Sequence, residues 1–419
     1  TLFSGVELLE AGHFICVNNT GIKKRKYWDL VLEPDHSSTI EGRTTRVRDV
    51  FTQSVHEQLI SDRPIGSYLS GGMDTGSIAS VAARYISPLH TFTCGFELPP
   101  DASGLEKYYD EREASQILAE EIGTEHHSLT LGADSMIPVF PNVIWHLDEP
   151  RVGISYQVYH MARRVARDVT VVLSGVGGDE LFAGYPWRYA SALSHEGNNF
   201  DEVYYQDYCR LLKDQDKADL LSPRMRHDIQ DYTPREDFQK ILDRSGSKDS
   251  LEKSQYVDFK VFMNGLLIVD DKLSMAHSIE SRVPFLSNAM VDEARSIPSE
   301  WKLSDGKGKI ILRNAMKPLL PNDITQRRKQ GFTPPDSTWY KTKSLGYIRD
   351  LILCERSLDR ALFNRDSIEK ILEEHISGKQ NHRFLIWSLM SLEWWHRLYV
   401  DGDWKEIQSS HSGNLKQQN

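Results

Sequence analysis

The stretch Tyr68-Leu69-Ser70-Gly71-Gly72-Met73-Asp74-Thr75-Gly76-Ser77 constrains this chain more than any other. Residues 65–69 before it read as a short buried strand, and the small, apolar residues 77–84 after it read as the first turns of a helix. A strand that opens into a helix through Ser-Gly-Gly presents backbone N–H groups and the positive end of a helix to an anion. Gly71 and Gly72 let the backbone approach that anion closely. Ser70, Thr75 and Ser77 offer hydroxyl donors, and Asp74 offers a hard oxygen ligand for a divalent cation beside it. No Gly-Lys-Ser/Thr follows, so this is not the Walker loop. Taken alone, the stretch also suits an ordinary strand-to-helix turn.

The chain continues in alternation. Residues 90–96 read as a second strand, 98–109 as a Pro/Gly/Asp-rich loop, and Asp110-Glu111-Arg112-Glu113 as a capping box opening a helix that Gly123 ends. A third strand is expected over 127–131, helices over 135–147 and 155–167, and a β-branched strand over 169–173. That strand runs into a second glycine-rich loop, Ser174-Gly175-Val176-Gly177-Gly178-Asp179-Glu180. Such alternation implies an α/β fold with a twisted, mostly parallel sheet and helices on both faces. Ligands of such sheets sit at the carboxyl ends of the strands, where two Ser-Gly loops each ending in Asp form one site. A pyrophosphate group suits the first loop, and Asp74 with Asp179 suits Mg²⁺ held between phosphates.

Around this core the chain reads as follows. Residues 1–30 contain one or two extended segments without obvious partners, the tail of a sheet rather than a domain. Residues 33–39 are a polar linker, and a helix is expected over 40–61 with Val47, Val50, Phe51, Val55 and Leu59 on its core face. From 199 to 397 the chain turns mainly helical, with helices expected over 201–212, 250–276, 290–296, 309–319, 367–375 and 383–399. Trp387, Met390, Trp394 and Leu398 share a face in the last of these and read as core. The tail 406–419 is polar.

With 419 residues the chain is long enough for two domains, or for one large α/β domain with appendages. Its net charge of −10 supplies no general basic field, which excludes broad nucleic-acid binding. The four cysteines, Cys16, Cys94, Cys209 and Cys354, form no Cys-x-x-Cys pair, which argues against a zinc knuckle and fits a reducing, cytoplasmic compartment. No signal peptide and no apolar run of spanning length is present, so no membrane segment is expected. The first residue is Thr1, which reads as the later part of a longer polypeptide.

Two further stretches carry charge in a loop context. Gln326-Arg327-Arg328-Lys329-Gln330-Gly331-Phe332 follows a Pro-rich break, and one buried cation from it would stabilise charge on a phosphate. A basic triplet is more often a solvated face. Asp270-Asp271-Lys272-Leu273-Ser274-Met275-Ala276, followed by Glu280-Ser281-Arg282-Val283-Pro284-Phe285-Leu286, suggests a polar pocket or a paired structural network.

These stretches together resemble the synthetase domain of the asparagine synthase family over nearly the whole chain. Ser70-Gly71-Gly72-Met73-Asp74-Thr75 is similar to the family's pyrophosphate loop, with Thr75 where serine is usual. His146-Leu147-Asp148-Glu149-Pro150, the 173–185 stretch, Arg282-Val283-Pro284-Phe285-Leu286 and Arg328-Lys329-Gln330-Gly331-Phe332 match in order. The resemblance implies an adenine nucleotide alpha-hydrolase-like fold and an ATP pyrophosphatase of the N type. A substrate carboxylate attacks the α-phosphorus of ATP, and ammonia or another amine attacks the resulting acyl-adenylate. It implies that Leu69, Cys94, Ser174 and Gly175 contact adenine and ribose mostly through backbone. Ser70, Gly71, Gly72 and Thr75 would hold the pyrophosphate, Asp74 and Asp179 Mg²⁺, and Lys329 the α-phosphate.

The implied organisation is a residual end of a glutaminase-type domain over 1–32 and a synthetase domain over 33–405. Within the latter, the pyrophosphatase core would span 62–190 and the helical remainder 199–400. Implied partners are a small-molecule carboxylate, an amine or ammonia, a glutaminase domain and a second copy in a homodimer, without nucleic acid or membrane. The chain departs from asparagine-forming members at Val176, where they carry an acid and cyclic-amide-forming members can carry an aromatic residue. Valine relays no proton, so a base for the amine would come from Asp270, Asp271 or Glu280. Asparagine formation, a dedicated amide or lactam synthesis, and nucleotide binding without turnover all remain open. A transfer-RNA thiolase is disfavoured by the missing basic face.

Overall fold

The computed structural model describes residues 1–98, 110–153, 155–194, 199–209, 211–230, 232–327, 329, 331, 333–405 and 407. The chain opens with an antiparallel hairpin of β1 (His13–Asn18) and β2 (Gly21–Lys26), in which every residue but His13 is exposed. Its exit is tied down at Asp29, which accepts from the Tyr256 hydroxyl at 3.2 Å and from Lys260 at 2.9 Å.

β3 (Ile65–Tyr68), β4 (His90–Phe96), β5 (Glu125–Leu131), β6 (Val171–Leu173) and β7 (Glu280–Arg282) form one sheet. Its order is β5-β4-β3-β6-β7, and every neighbouring pair is parallel. The chain runs from β3 outward to β5, then returns to the far side of β3 as β6. The strand order reverses between β3 and β6, so the loops that follow these two strands flank one crevice at the carboxyl edge. β7 is a strand where the sequence reading had only a polar stretch. Three residues bearing Glu280 and Arg282 carry no strand pattern, and the pairing comes from the neighbour, Val171 to Leu173 against Glu280 to Arg282.

Side chains on the strands alternate between the two faces. Val172 belongs with Phe92, Phe96, Phe140 and Ile386 in one core, whereas Val171 and Leu173 belong with Ile65, Phe51, Ile78 and Ile311 in another. The first core is covered by helices Phe140–Leu147, Tyr156–Val165 and Arg383–Tyr399, the second by Ile40–Glu57, Met73–Ala82, Asn288–Arg295 and Ile310–Met316. The expected core stripes are where the spacing puts them: Val47, Phe51 and Val55 are fully buried, as are Met390 and Leu398, with Trp387 and Trp394 nearly so. The buried indoles are satisfied, since Trp387 Nε1 donates to Arg151 O and Trp395 Nε1 to Asp148 O, both at 2.7 Å. A smaller third core around Tyr189, Phe200, Tyr204, Phe238 and Leu242 organises the helical region. Among the described residues no helix is long and apolar enough to cross a membrane.

Several boundaries differ from expectation for local reasons. The capping box at 110–113 does not form: the helix is Arg112–Ile122 without a side-chain cap, and Asp110 instead binds Arg112 Nε and Nη2 at 2.9 and 2.6 Å. Its other end is as read, with Gly123 left-handed at φ 71°. The single helix expected over 135–147 is two short turns, Ala133–Ser135 and Ile137–Val139, and then Phe140–Leu147, because Pro138 and Pro141 remove backbone donors. The long helix from Ser250 widens into a π segment over Asp258–Met263 before continuing as Asn264–Met275. Short helices such as Asp214–Leu220, Pro223–Asp228 and Pro234–Arg244 went unread. The loop read at 98–109, except Leu98, and the tail from 408 lie outside the described residues, as do Arg328, Gln330 and Phe332.

The Phe51 ring packs tilted against Phe285 with centroids 4.8 Å apart, joining helix Ile40–Glu57 to the turn after β7. Phe51→Ala is expected to cost about 3–5 kcal/mol of stability, the usual price of an emptied aromatic site. Urea unfolding followed by circular dichroism checks this; a loss under about 1 kcal/mol would show that the site collapses around the deletion.

Candidate active site

The helix after β3 starts at Met73, four residues earlier than the sequence suggested, with Gly72 extended as its N-cap. Side chains close the turn that makes this possible. Thr75 Oγ1 accepts from Ser70 N at 2.9 Å, Ser70 Oγ accepts from Gly72 N at 3.1 Å, and the two hydroxyls lie 2.9 Å apart. Asp74 therefore stands in the first helical turn, at the positive helix end. Ser77, read as an anion donor, turns back instead and donates to Met73 O at 2.7 Å, fully buried. It shapes the helix and is removed from the donor set.

The second loop is pinned from the other side. Ser174 N donates to Arg282 O at 2.7 Å, and Glu180 turns back to accept from Gly177 N at 3.1 Å and from the Tyr185 hydroxyl at 2.7 Å. The two loops touch: a Cβ on Gly175 would lie 2.9 Å from Thr75 Cγ2 and 3.3 Å from Asp74 Cβ. This is the contact that the topological reversal between β3 and β6 demands.

Across the crevice runs an alternating chain of charges. Lys309 Nζ lies 2.5 Å from Asp74 Oδ2 and 2.6 Å from Asp179 Oδ1, and Lys329 Nζ lies 2.7 Å from Asp179 Oδ2. Asp74, Asp179 and Lys309 are all buried. Burial alone would push the Asp179 carboxyl up, yet Lys309 and Lys329 together hold it below the ordinary carboxylate range. Burial would likewise depress Lys329, but Asp179 and Asp74 push its ammonium well above the usual lysine value, so it stays charged. Glu180, buried and next to Asp179, is pushed up to about 7. Glu111 at the first loop is raised by burial against the pull of Lys329 and Arg327. One oxygen, Asp74 Oδ1, is buried without a hydrogen-bond partner.

Glycines make the room for these acids. A Cβ at Gly178 would stand 2.8 Å from Asp74 Oδ1, and one at Gly184 would stand 1.9 Å from Asp179 Oδ1. Lys309 was missed by the sequence reading, which saw only the start of a helix there. It holds a left-handed backbone at φ 60°, an unusual state for a residue with a side chain and one associated with functional sites. Its N–H donates to Phe182 O at 3.0 Å. Arg313 couples it to the basic segment, donating through Nε to Gly308 O at 2.9 Å and through Nη1 to Thr325 O at 2.6 Å and Arg327 O at 3.0 Å. Two members of the basic triplet are thus turned inward: Arg327 Nη1 donates to Gly71 O at 3.0 Å, and Lys329 reaches the acids.

The other residues read from the sequence divide. Leu69 is buried and its N–H donates to Phe92 O at 2.8 Å, which places its backbone at the carboxyl edge beside the first loop. Cys94 lies in β4 facing the core, and burial pushes its thiol up to about 12, so it is inert as a nucleophile. Of the three acids considered as bases, Glu280 stands at the opposite, amino end of the sheet opposite Val171, paired with Arg282 at 2.7 Å. Asp271 is exposed. Asp270 is buried, its carboxyl raised by burial and accepting from Ser281 Oγ at 2.7 Å. Glu180 reaches the residue beside Val176, accepting from Gly177 N.

Removing one cation from such a cluster strands a buried carboxylate. Lys309→Met is expected to lose about 3–5 kcal/mol at neutral pH. Asp179 is depressed in the native protein, so its stabilisation is present above the ordinary aspartate range and is lost as pH falls through its lowered value. Without Lys309 its pKa rises, so the deficit of the variant is expected to shrink on acidification. Urea midpoints of both proteins between pH 8 and pH 4 test this, and a deficit independent of pH would assign it to packing.

The asparagine synthase family pattern matches residues 46–397 of the chain. Asparagine synthetase (glutamine-hydrolyzing) 1 of Bacillus subtilis is 28% identical, with 98% of this chain and 68% of that protein covered. The putative asparagine synthetase (glutamine-hydrolyzing) of Mycobacterium tuberculosis is 27% identical over 96% of this chain and 65% of its own length. The chain therefore spans about two thirds of these curated relatives. The structural overlap with an NH3-dependent NAD synthetase of Campylobacter jejuni has a TM-score of 0.25 at 14% identity, over 55% of this chain and 96% of that one. Given the match from residue 46 to residue 397, the chain belongs to the asparagine synthase family.

Proposed function

We propose that this chain carries the synthetase half of an ATP-dependent amide ligase. The observation that carries this reading is the alternating row Asp74–Lys309–Asp179–Lys329 at the strand-order reversal. Such a row suits a nucleoside triphosphate with its cation: phosphate oxygens take the ammonium groups, and the carboxylates are released toward a divalent ion. Hard oxygen donors and the unpartnered Asp74 Oδ1 fit Mg²⁺, which Asp74 and Asp179 would hold. When bound, the ion would neutralise phosphate charge.

In this reading the Gly71 N–H and the helix end at Met73 grip the β- and γ-phosphates, with Ser70 and Thr75 shaping the grip by taking the Ser70 and Gly72 N–H groups onto their hydroxyls. Leu69, Cys94, Ser174 and Gly175 line adenine and ribose through backbone. Lys329, charged through its pairing with Asp179, stabilises the α-phosphate while a substrate carboxylate oxygen attacks phosphorus and pyrophosphate departs. Lys309 takes a second share of that charge. An amine or ammonia then attacks the acyl carbon, and AMP leaves. Positioning and fixed charge supply the rate. The proposed organisation is a synthetase domain over 33–405 preceded by the end of a glutaminase-type domain over 1–32, acting in the cytoplasm, with ammonia from glutamine as one nitrogen source and a homodimer as one assembly.

Carboxylate-dependent pyrophosphate release from ATP tests the reading. Asp74→Asn and Lys329→Ala are each expected to lower it by roughly 10²-fold or more with the fold retained. Normal release in both variants would sink the assignment.

Val176 favours a second reading, in which the product is an amide or lactam other than asparagine. Its side chain neither takes a proton nor pairs with a cationic amine. A screen of aspartate against other carboxylates separates the two, with non-aspartate acids expected to support the faster release. Release with aspartate alone would discard the second reading.

A further inference from the structure

The geometry points to a transition-metal site, of the Zn²⁺ class, at the amino edge of the sheet, formed by His90, Glu125 and His127. It lies at the opposite end of the strands from the two phosphate loops. The register creates it. β4 and β5 run parallel with His90 opposite Glu125, and His127 follows Glu125 by two residues, so all three side chains stand on one face of adjacent strands.

Three donor atoms converge there. His90 Nδ1 and His127 Nε2 are 3.0 Å apart. Glu125 offers Oε2 at 3.7 Å from His90 Nδ1 and Oε1 at 3.9 Å from His127 Nε2. Donors around a tetrahedral zinc lie roughly 3.3 Å apart, as follows from metal–ligand bonds of about 2.0–2.2 Å. The two nitrogens are already inside that separation, and rotation of one exposed glutamate side chain closes the rest. Two imidazoles and one carboxylate form a borderline donor set that selects zinc, nickel, cobalt or copper over magnesium.

The surroundings support a fixed site. His127 is stacked on His90 at 5.3 Å and on Phe92 at 5.1 Å, which limits the motion of both imidazoles. Arg164, the nearby cation, lies over the Phe92 ring at 5.6 Å and is itself paired with Asp168. Glu125 is 54% exposed in its side chain, so an ion has an approach from solvent, and water can complete the coordination shell. Because β5 is the edge strand, a metal here would clip the edge to its neighbour, a structural role separate from nucleotide chemistry.

The test uses the full chain, stripped with chelator and titrated with Zn²⁺ by calorimetry in the presence of excess Mg²⁺. One zinc is expected to bind, to survive the Mg²⁺, and to raise the unfolding temperature. Cobalt in its place is expected to give the visible spectrum of a four-coordinate ion. Glu125→Gln, a surface change that leaves the fold intact, and His90→Asn are each expected to weaken binding by roughly tenfold or more. Unchanged binding in both variants would place the zinc elsewhere and overturn the proposal, as would a chain that binds none. Pyrophosphate release does not enter the readout, so the result is independent of the proposed reaction.

Discussion

Two carboxylates held side by side away from water repel each other and lose hydration, and the candidate site depends on how that cost is met. Asp74 and Asp179 reach one crevice from loops far apart in sequence, and Lys309 stands between them at 2.5 and 2.6 Å. Lys329 closes the row on the far side of Asp179. Lone ionised acids would be driven toward protonation in such a place. Alternation of sign keeps Asp179 ionised and Lys329 charged, each holding the other in that form. Buried pairs of this kind are weak contributors to stability and strong arguments for a use.

The rest of the architecture serves that row. The strand-order reversal brings the loops together, and β7 anchors the second loop through the bond between Ser174 and Arg282. Arg313 ties the Lys309 turn to the segment that carries Lys329, so the two cations arrive as one unit from the helical part of the chain. The helix Arg383–Tyr399 contributes through packing on the opposite face of the sheet, with its indole N–H groups satisfied by Arg151 O, Asp148 O and the Tyr347 hydroxyl.

What could be read in advance follows from where the signals lie. Both glycine-rich loops, the parallel sheet and the aromatic stripe of the last helix are local patterns, written in spacing and residue type, and they stand where they were expected. Lys329 came from resemblance, and the row of charges gives it a physical reason. Lys309 left no trace, because a lysine at a helix start looks ordinary and only the distant acids make it special. Glu280 failed as a base for a directional reason: strand polarity puts it at the wrong end of the sheet, and nothing in the linear sequence says which end a residue will occupy. The His90–Glu125–His127 group was invisible for a related reason, since its spacing exists only across the pairing of β4 with β5.

Gly184 gives this arrangement a consequence for how such chains diverge. Its missing side chain leaves the space that Asp179 occupies, with an imagined methyl only 1.9 Å from the carboxylate oxygen. Lineages that drift at this position would keep both acids and both lysines yet hold them in the wrong places. A survey that scores descendants by their charged residues alone would overlook the loss of the space that the bare backbone at Gly184 leaves for Asp179 and Lys309.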